Sequence, residues 1–282
     1  MVIKQTNRLT QTEKLAVALL EDAAYKKNKL QNHAFLQNDI NFDREIPCFF
    51  LGYVGERLVT FLAVFLPTRT EAELLAFTHP EFQNKGCFGL LFTEACRVLI
   101  ALRIREVVFA VEPASKSAHA VLKTLGNTKL LRSEYRMVVS NLNRAPDPGG
   151  LQLFEVDSTN KELFRAALAA AFPEAENQEN FYDSVLHSDL RRGYIVYRDR
   201  PVGVFNLELG EEHTFLYGVG IAPDFRGKGY GKQLMGHAMR QGLTLGKRIV
   251  LDVDSQNPIA FHLYQSCGFQ IDFQVDYYGY RI

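Results

Sequence analysis

Along the second half of the chain the hydrophobic positions switch repeatedly between a period of two and a period near 3.6, which predicts alternating strands and helices. Leu151 to Val156 (LQLFEV) alternates as a strand, and a helix follows, opened by a capping box in which Thr159 stands three residues before Glu162. A second helical stretch is predicted near Asn177 to His187, then strands at Gly193 to Arg198 and Val202 to Leu209. Thr214 to Ile221 predicts a strand that runs into the turn Arg226 to Gly231. The pattern then gives a helix over Lys232 to Leu245, a strand over Arg248 to Val253, a helix over Pro258 to Ser266 and a last strand region from Phe269 to Ile282. Strands flanking helices in this order predict a mixed α/β (α+β) architecture.

The plan occurs twice. Pro80 to Gly86 (PEFQNKG) returns 143 residues later as Pro223 to Gly229 (PDFRGKG), with Pro, Phe, Lys and Gly in register. The same shift lays the turn Glu56 to Val59 over Asp199 to Val202, and after a one-residue gap Val111-Glu112 meets Val253-Asp254 and Leu125-Gly126 meets Cys267-Gly268. A period this long means duplicated domains, because solenoid repeats run about 20 to 50 residues. The most visible linker is Asn141 to Gly150 (NLNRAPDPGG), where two prolines and two glycines separate apolar segments. Domains 1–145 and 146–282 are therefore expected, each a mixed central sheet flanked by helices.

Composition narrows the classes. A chain of 282 residues at 47% apolar content can bury two cores. Lys plus Arg and Asp plus Glu balance at 32 each, so the charge offers no footprint for nucleic acid or a membrane surface. Cys48, Cys87, Cys96 and Cys267 form no CxxC pair and no HExxH spacing accompanies them, which predicts reduced thiols and no metal. The first thirty residues lack an unbroken apolar h-region and no apolar run approaches a membrane span, so a cytoplasmic protein is expected.

The candidate chemistry sits in the strand-to-helix turn. Gly227, Lys228, Gly229, Tyr230 and Gly231 alternate glycine with longer residues, so the backbone can turn tightly and aim several N–H groups at one point. The following helix adds the positive end of its dipole, which suits a pyrophosphate. Such a turn is also found as a plain tight connection. It is neither of two better-known phosphate loops: Gly246-Lys247 continues into Arg248 rather than Ser or Thr, and Lys232 stands where GxGxxG needs its third glycine.

Val219 to Gly231 (VGIAPDFRGKGYG) resembles the acetyl-coenzyme A loop of the GNAT acyltransferases, R/Q-x-x-G-x-G/A after a strand, with Arg226, Gly229 and Gly231 at its fixed positions. Asn257 to Phe269 (NPIAFHLYQSCGF) is similar to that family's second segment, with Asn257, Tyr264, Gly268 and Phe269 in place. The resemblance implies that the backbone of Val219, Gly220 and Ile221 pairs with the pantetheine arm. It places the pyrophosphate on Arg226 and on the amides of Gly227, Lys228, Gly229, Tyr230, Gly231 and Lys232. It makes Asn257 a second anchor for the arm and Tyr264 the proton donor to the departing thiolate. Glycines at 218 and 220 fit a strand with a bulge or a close backbone approach, or one that is merely flexible.

Attack on a thioester requires an uncharged amine, so a proton must be taken up. Asp252 occupies the strand position where some family members carry a glutamate base, and it is equally readable as a solvated carboxylate. Tyr217 occupies a position used near the acceptor, whereas the glutamate site of the histone-acetylating branch is filled by Phe215. A water relay is the expected route for the proton. Glu211, Glu212 and His213 read as an exposed turn, His237 and His262 as solvated or partly packed helix residues. Tyr277, Tyr278 and Tyr280 read as strand residues or as a border to the acceptor pocket.

In the first half Gln83 and Gly86 keep the loop pattern while Phe88 replaces its last small residue. Ser115 stands for Asn257, Leu122 for Tyr264 and Asn127 for Phe269, and Gly126 is kept. This half reads as a degenerate copy, retained for structure or as one wall of the acceptor site. The expectation is a tandem-domain N-acetyltransferase moving acetyl from acetyl-coenzyme A to a primary amine of a small molecule or amino-acid derivative. No nucleic-acid or membrane partner is expected, and the sequence leaves the oligomeric state open. A mycothiol-synthase-like role is compatible with the two-domain plan. Two other readings are a non-catalytic acetyl-coenzyme A sensor, which would tolerate loss of Tyr264, and a tRNA-dependent aminoacyltransferase, which the neutral charge and the intact pyrophosphate loop oppose.

Overall fold

The computed structural model of the chain describes all residues except 39–40, 174–181, 183–184 and 247. These residues form two compact units, Met1–Glu134 with Phe273–Ile282, and Tyr135–Asp272. The first comprises β1 (Val2–Thr6), α1 (Gln11–Tyr25), β2 (Phe49–Val54), β3 (Arg57–Phe65), β4 (Glu71–Thr78), a 3-10 turn at Pro80–Phe82, α2 (Cys87–Ala101), β5 (Glu106–Val111) and α3 (Lys116–Leu125). The start of β6 (Lys129–Val139) and most of β12 (Gln270–Arg281) complete it, in the order β1-β2-β3-β4-β5-β12-β6. The second takes the rest of β6, then β7 (Gln152–Glu155), α4 (Lys161–Ala171), β8 (Arg191–Tyr197), β9 (Pro201–Leu209), β10 (Thr214–Ile221), a 3-10 turn at Pro223–Phe225, α5 (Tyr230–Leu245), β11 (Ile249–Asp254) and α6 (Pro258–Ser266). Its strand order is β6-β11-β10-β9-β8-β7. β4 pairs parallel with β5 in the first unit and β10 with β11 in the second.

The duplication reaches the side chains. Arg57 pairs with Glu81 at 2.9 Å and lies over the Phe82 ring, and 143 positions later Arg200 pairs with Asp224 at 3.0 Å and lies over Phe225. In both units this contact ties the hairpin between the second and third sheet strands to the 3-10 turn that delivers the glycine loop.

The units do not part at residue 145. Proline and glycine mark where regular pairing ends, not where contacts end, and the linker packs on α5: Arg240 Nη1 donates to the Pro146 carbonyl at 2.8 Å. Gly236 leaves room for that carbonyl, since a Cβ there would stand 2.4 Å from it. The other departure is the tail. Tyr277, Tyr278 and Tyr280 lie opposite Ala110, Phe109 and Val107 of β5, in the first unit.

The expected Thr159–Glu162 capping box does not form. Asn160 is the N-cap of α4, and the Asp157 carboxylate takes the N–H groups of Thr159 and Asn160 at 2.7 and 3.2 Å together with the Thr159 hydroxyl at 2.6 Å. The Asp157 carboxylate takes the Thr159 N–H that the Glu162 side chain would have accepted from, and it draws the Thr159 hydroxyl in as a donor, away from Glu162 N–H. The helical stretch expected at 177–187 falls largely outside the described residues.

Alternation along β9 sends Phe205 and Leu207 into a core with Leu234, Met239 and Leu251 and turns Val204 toward Phe164, Ala167 and Leu168 of α4. Both faces of this sheet are covered, which is why the strand reads as an almost unbroken apolar run.

Candidate active site in the second unit

Pairing between the parallel strands β10 and β11 is confined to Thr214 with Ile249 and Phe215 with Val250. Beyond Phe215 the register of β10 with β9 shifts between Tyr217 and Gly220, and Gly218 sits at φ 57°. A bulge that needs a glycine in the left-handed region turns β10 away from β11 and leaves the edge of Val219 without a strand partner on that side. Gly220 has a different reason to be glycine. A Cβ there would lie 2.6 Å from the Phe172 ring and 2.8 Å from the Ala171 Cβ, so it admits the end of α4 rather than a ligand.

The loop beyond β10 is built to leave donors open. Gly227 and Gly229 take φ of 72° and 82°, and Gly229 is the N-cap of α5. The N–H groups of Gly227, Lys228, Gly229, Tyr230 and Gly231 make no hydrogen bond to a described residue, and a Cβ at 227 or 229 would meet nothing within 4 Å. Five consecutive open donors at a helix N-terminus form an anion cradle. Lys232 is set apart from them, because its N–H already donates to Gly229 at 3.1 Å.

Arg226 departs from its expected place. Its Nε donates to the Ile221 carbonyl at 2.9 Å and its Nη2 to the Ala171 carbonyl at 3.2 Å. The side chain therefore braces the loop against the end of β10 and α4 and does not point into the cradle. Lys228 likewise donates to the Asp224 carbonyl. A cation that the spacing gave no reason to find is Arg198, in the β8–β9 turn, whose Nη1 donates to the Tyr230 hydroxyl at 2.5 Å beside the loop.

Asn257 caps α6, accepting from Ala260 N–H at 3.1 Å through Oδ1, which leaves its amide protons for another acceptor. Tyr264, seven residues on, buries its ring beside Phe269, and its hydroxyl makes no hydrogen bond to a described residue. Burial pushes this phenol up to about 12, so it carries its proton at neutral pH.

On the opposite sheet face, Tyr217 stands across from Asn206 of β9 and stacks along Phe215 at 6.1 Å. Burial first, and Glu208 second, push its phenol up to about 12 against the pull of Arg191. Asp252 projects from β11, away from buried Leu251 and Val253, and both of its oxygens are held by Arg136 of β6 at 2.8 and 2.9 Å. Asp252 is therefore not the simple solvated carboxylate of the bland reading, and its lone pairs are committed to a guanidinium. Asn206 is a residue the sequence reading passed over: it is fully buried, and its amide finds no hydrogen bond among the described residues. One amide in the run VGVFNLEL was the available signal, since a polar group in a two-faced strand needs a reason.

The first unit meets the same test unevenly. Gln83 Nε2 donates to the Thr78 carbonyl at 3.3 Å, matching the brace from Arg226 to Ile221, and Asn84 and Gly86 repeat the left-handed pair at φ 60° and 77°. Phe88 does not crowd this loop; it stacks on Phe92 against the core. The bulge is missing, however: β4 pairs with β3 without a register shift and stays paired with β5 through Leu74 and Phe109. Ser115 keeps only the helix cap, accepting from Ala118 N–H at 3.4 Å, and Leu122 is core.

A parted parallel strand pair over an open N–H cradle, with a protonated phenol at the second strand's helix, defines an acyltransferase domain. Residues 158–269 match the family described as Acetyltransferase (GNAT) family. It is 26% identical over 132 residues to the spermidine N(1)-acetyltransferase of Vibrio cholerae, a match spanning 45% of this chain and 76% of that protein. It is 29% identical over 126 residues to the L-amino acid N-acyltransferase MnaT of Escherichia coli, spanning 44% and 66%. A crystal structure of a GCN5-related N-acetyltransferase from Sphaerobacter thermophilus superposes with a TM-score of 0.76 at 15% identity, covering 99% of this chain and 95% of that one. The chain thus shares the fold of that structure, and the two curated relatives it resembles are an N-acetyltransferase and an N-acyltransferase. No helix among the described residues is long and apolar enough to cross a membrane.

Proposed function

We propose that the second unit binds acetyl-coenzyme A and transfers its acetyl group to the primary amine of a small molecule or amino-acid derivative by direct attack. The observation that carries this reading is the parting of β10 from β11 after Phe215–Val250, directly above five open N–H groups. An extended amide chain can add its hydrogen bonds to such an edge, and a pyrophosphate fits such a cradle. The names of the relatives acting on spermidine and on L-amino acids support a small amine as acceptor. The free cysteines, all four outside any disulfide, support a cytoplasmic setting.

When bound, the co-substrate supplies a thioester-activated acetyl group. The chain's part is to hold and to move protons. The amides of Gly227 to Gly231 and the α5 dipole hold the diphosphate, Val219 offers its strand edge, and Asn257 donates from Nδ2 while its Oδ1 stays on the helix cap. Tyr264, kept neutral by burial, gives its proton to the leaving sulfur. The acceptor's proton leaves by water beside Tyr217, with Asn206 and the Arg136–Asp252 pair shaping that side.

Asp252 on this reading positions Arg136 and is not the base. Asp252→Asn is expected to keep turnover within about tenfold of the parent, whereas loss of a true general base costs about 10²- to 10⁴-fold. A fall of a thousandfold in a folded variant, with a shift in the acid limb of the pH profile, restores Asp252 as the base.

The direct test is release of coenzyme A thiol from acetyl-coenzyme A across a panel of polyamines, amino acids and monoamines. Saturable release with at least one primary amine is expected, and none with the matching alcohols. Tight binding of the co-substrate with no release across the panel would leave a sensor, not an enzyme of this class. On this proposal the first unit, lacking the bulge, the amide and the phenol, carries out no acyl transfer.

A further inference from the structure

The first unit contains a cavity of about 190 Å³ on the α1 side of its sheet, lined by Asn32, His33, Phe35, Phe49, Phe65 and Glu73 among others. Glu73 on β4 stands directly across from Phe65 on β3, and Leu75 faces Ala63 in the next pair along the same face. The wall is thus aromatic and aliphatic around a single carboxylate. Glu73 makes no hydrogen bond or ion pair with any described residue. Arg132, whose charge acts on Glu73 without a salt bridge to it, pairs with Glu134 at 3.4 Å and lies 3.6 Å over the Tyr277 ring, whose hydroxyl donates to Glu134 at 3.0 Å.

The cover of this cavity is fixed in place. Gln31 and Asn32 N–H groups both donate to Glu112 Oε1 at 2.6 and 2.7 Å, and Ala34 N–H donates to Glu21 Oε1 at 2.7 Å. His33 Nδ1 lies 2.9 Å from the other Glu21 oxygen, and the Tyr25 hydroxyl donates to the Asn32 carbonyl. Two carboxylates therefore hold the segment 31–34 over a space that is left open, and the one carboxylate facing that space has no hydrogen bond or ion pair among the described residues.

We infer that this cavity is a binding site for a small organic cation, a primary ammonium on a short hydrocarbon stem, separate from the transfer site of the second unit. A lone carboxylate needs a donor, and an ammonium brings three. Phe35, Phe49 and Phe65 suit the stem and add cation–π attraction to the head. A calcium or magnesium ion is a poor fit, because it asks for six or more oxygens and the side chains of the lining offer one carboxylate and the amides of Asn32 and Gln37; no group of three His, Cys, Asp or Glu among the described residues could hold a softer ion. The volume holds about six to eight non-hydrogen atoms, by comparison with cavities of about 150 Å³ that take benzene.

Burial pushes the Glu73 carboxyl up to about 7, opposed by Arg132 and reinforced by Glu134 and by Glu71 on its own strand; His33 from the cover and Tyr277 from β12 are the other titratable groups nearby. An ammonium needs the carboxylate form, so affinity rises with pH through that range, by about tenfold between pH 6 and 8.

The test is calorimetry on the full chain without an acetyl donor, using n-hexylamine and, as its uncharged counterpart, 1-hexanol. Hexylammonium is expected to bind, more tightly at pH 8 than at pH 6, with hexanol at least tenfold weaker. Glu73→Gln should weaken the amine at least tenfold and flatten the pH dependence while the melting temperature holds. Ala63→Leu, which fills the cavity and spares the carboxylate, should weaken it as well. The inference is overturned if the parent binds no amine, if hexanol binds equally, or if both variants bind as the parent does. It is also overturned if Tyr217→Phe in the second unit, rather than Glu73→Gln, removes the binding.

Discussion

Gly229→Val is expected to lower the affinity for acetyl-coenzyme A at least a hundredfold and to abolish turnover, while Gly86→Val leaves both near the parental level. The two glycines are equivalent in the duplication and alike in geometry, N-caps at φ 82° and 77° with open space where a Cβ would point. Each substitution forces a β-branched residue into the left-handed region, at about 1–2 kcal/mol or somewhat more. Stability therefore falls by similar amounts, and the pair separates folding from binding. What differs is what the loop serves. At 229 the added side chain occupies the approach to five N–H donors, and hydrogen bonds to a charged group are worth about 1.5–3 kcal/mol each. Losing two of them accounts for about a hundredfold or more. Calorimetric titration beside thermal melts reads both quantities. Full affinity in folded Gly229→Val removes the cradle from the proposal, and loss of turnover in Gly86→Val shows that the first unit's loop serves the reaction.

That comparison is sharp because the duplicated loop was legible in the sequence while its surroundings were not. Glycine spacing reports backbone geometry directly, since few other residues adopt positive φ, so Gly227, Gly229 and their counterparts could be read one residue at a time. Thr214 to Ile221 and Pro258 to Ser266 matched their elements because one strong period runs between clear breakers. Long-range pairing leaves no such trace. Nothing in YRMVV announces that Arg136 will hold Asp252, 116 residues away, or that β6 and β12 each run from one compact unit into the other. The linker carries less information for a related reason: prolines end a strand whether or not the chain then leaves its compact unit. Arg226 and Gly220 show the limit of motif reading. Both sit where the family pattern puts them, and the structure gives each a further task that the motif does not announce: Arg226 braces the loop and Gly220 makes room for Phe172.

The first unit shows which parts of the site separate from the fold. Gln83 still braces its loop and Ser115 still caps its helix, because both tasks hold the domain together. The bulge, the amide of Asn257 and the phenol of Tyr264 have no structural task that Leu75, Ser115 and Leu122 fail to perform, and they are the parts that are gone.

Tyr264→Phe is expected to lower turnover by about ten- to a thousandfold, with affinity for acetyl-coenzyme A within about twofold of the parent. The ring is 8% exposed and packs beside Phe269, and Phe preserves that contact. The hydroxyl has no hydrogen-bond partner among the described residues, so its removal leaves no orphaned group and the melting temperature should hold. On the proposed reading, what is lost is a proton placed on the second strand's helix for the departing thiolate. The pH dependence adds a second readout. Burial raises the phenol to about 12, so Tyr264 stays protonated and competent from pH 6 to 10, and its deprotonation cuts turnover only above about pH 11. The parent should therefore show no alkaline loss below pH 10 that Tyr264→Phe removes. If the variant turns over at the parental rate with chemistry rate-limiting, Tyr264 is a core residue with a spare hydroxyl, and the thiolate takes its proton from water.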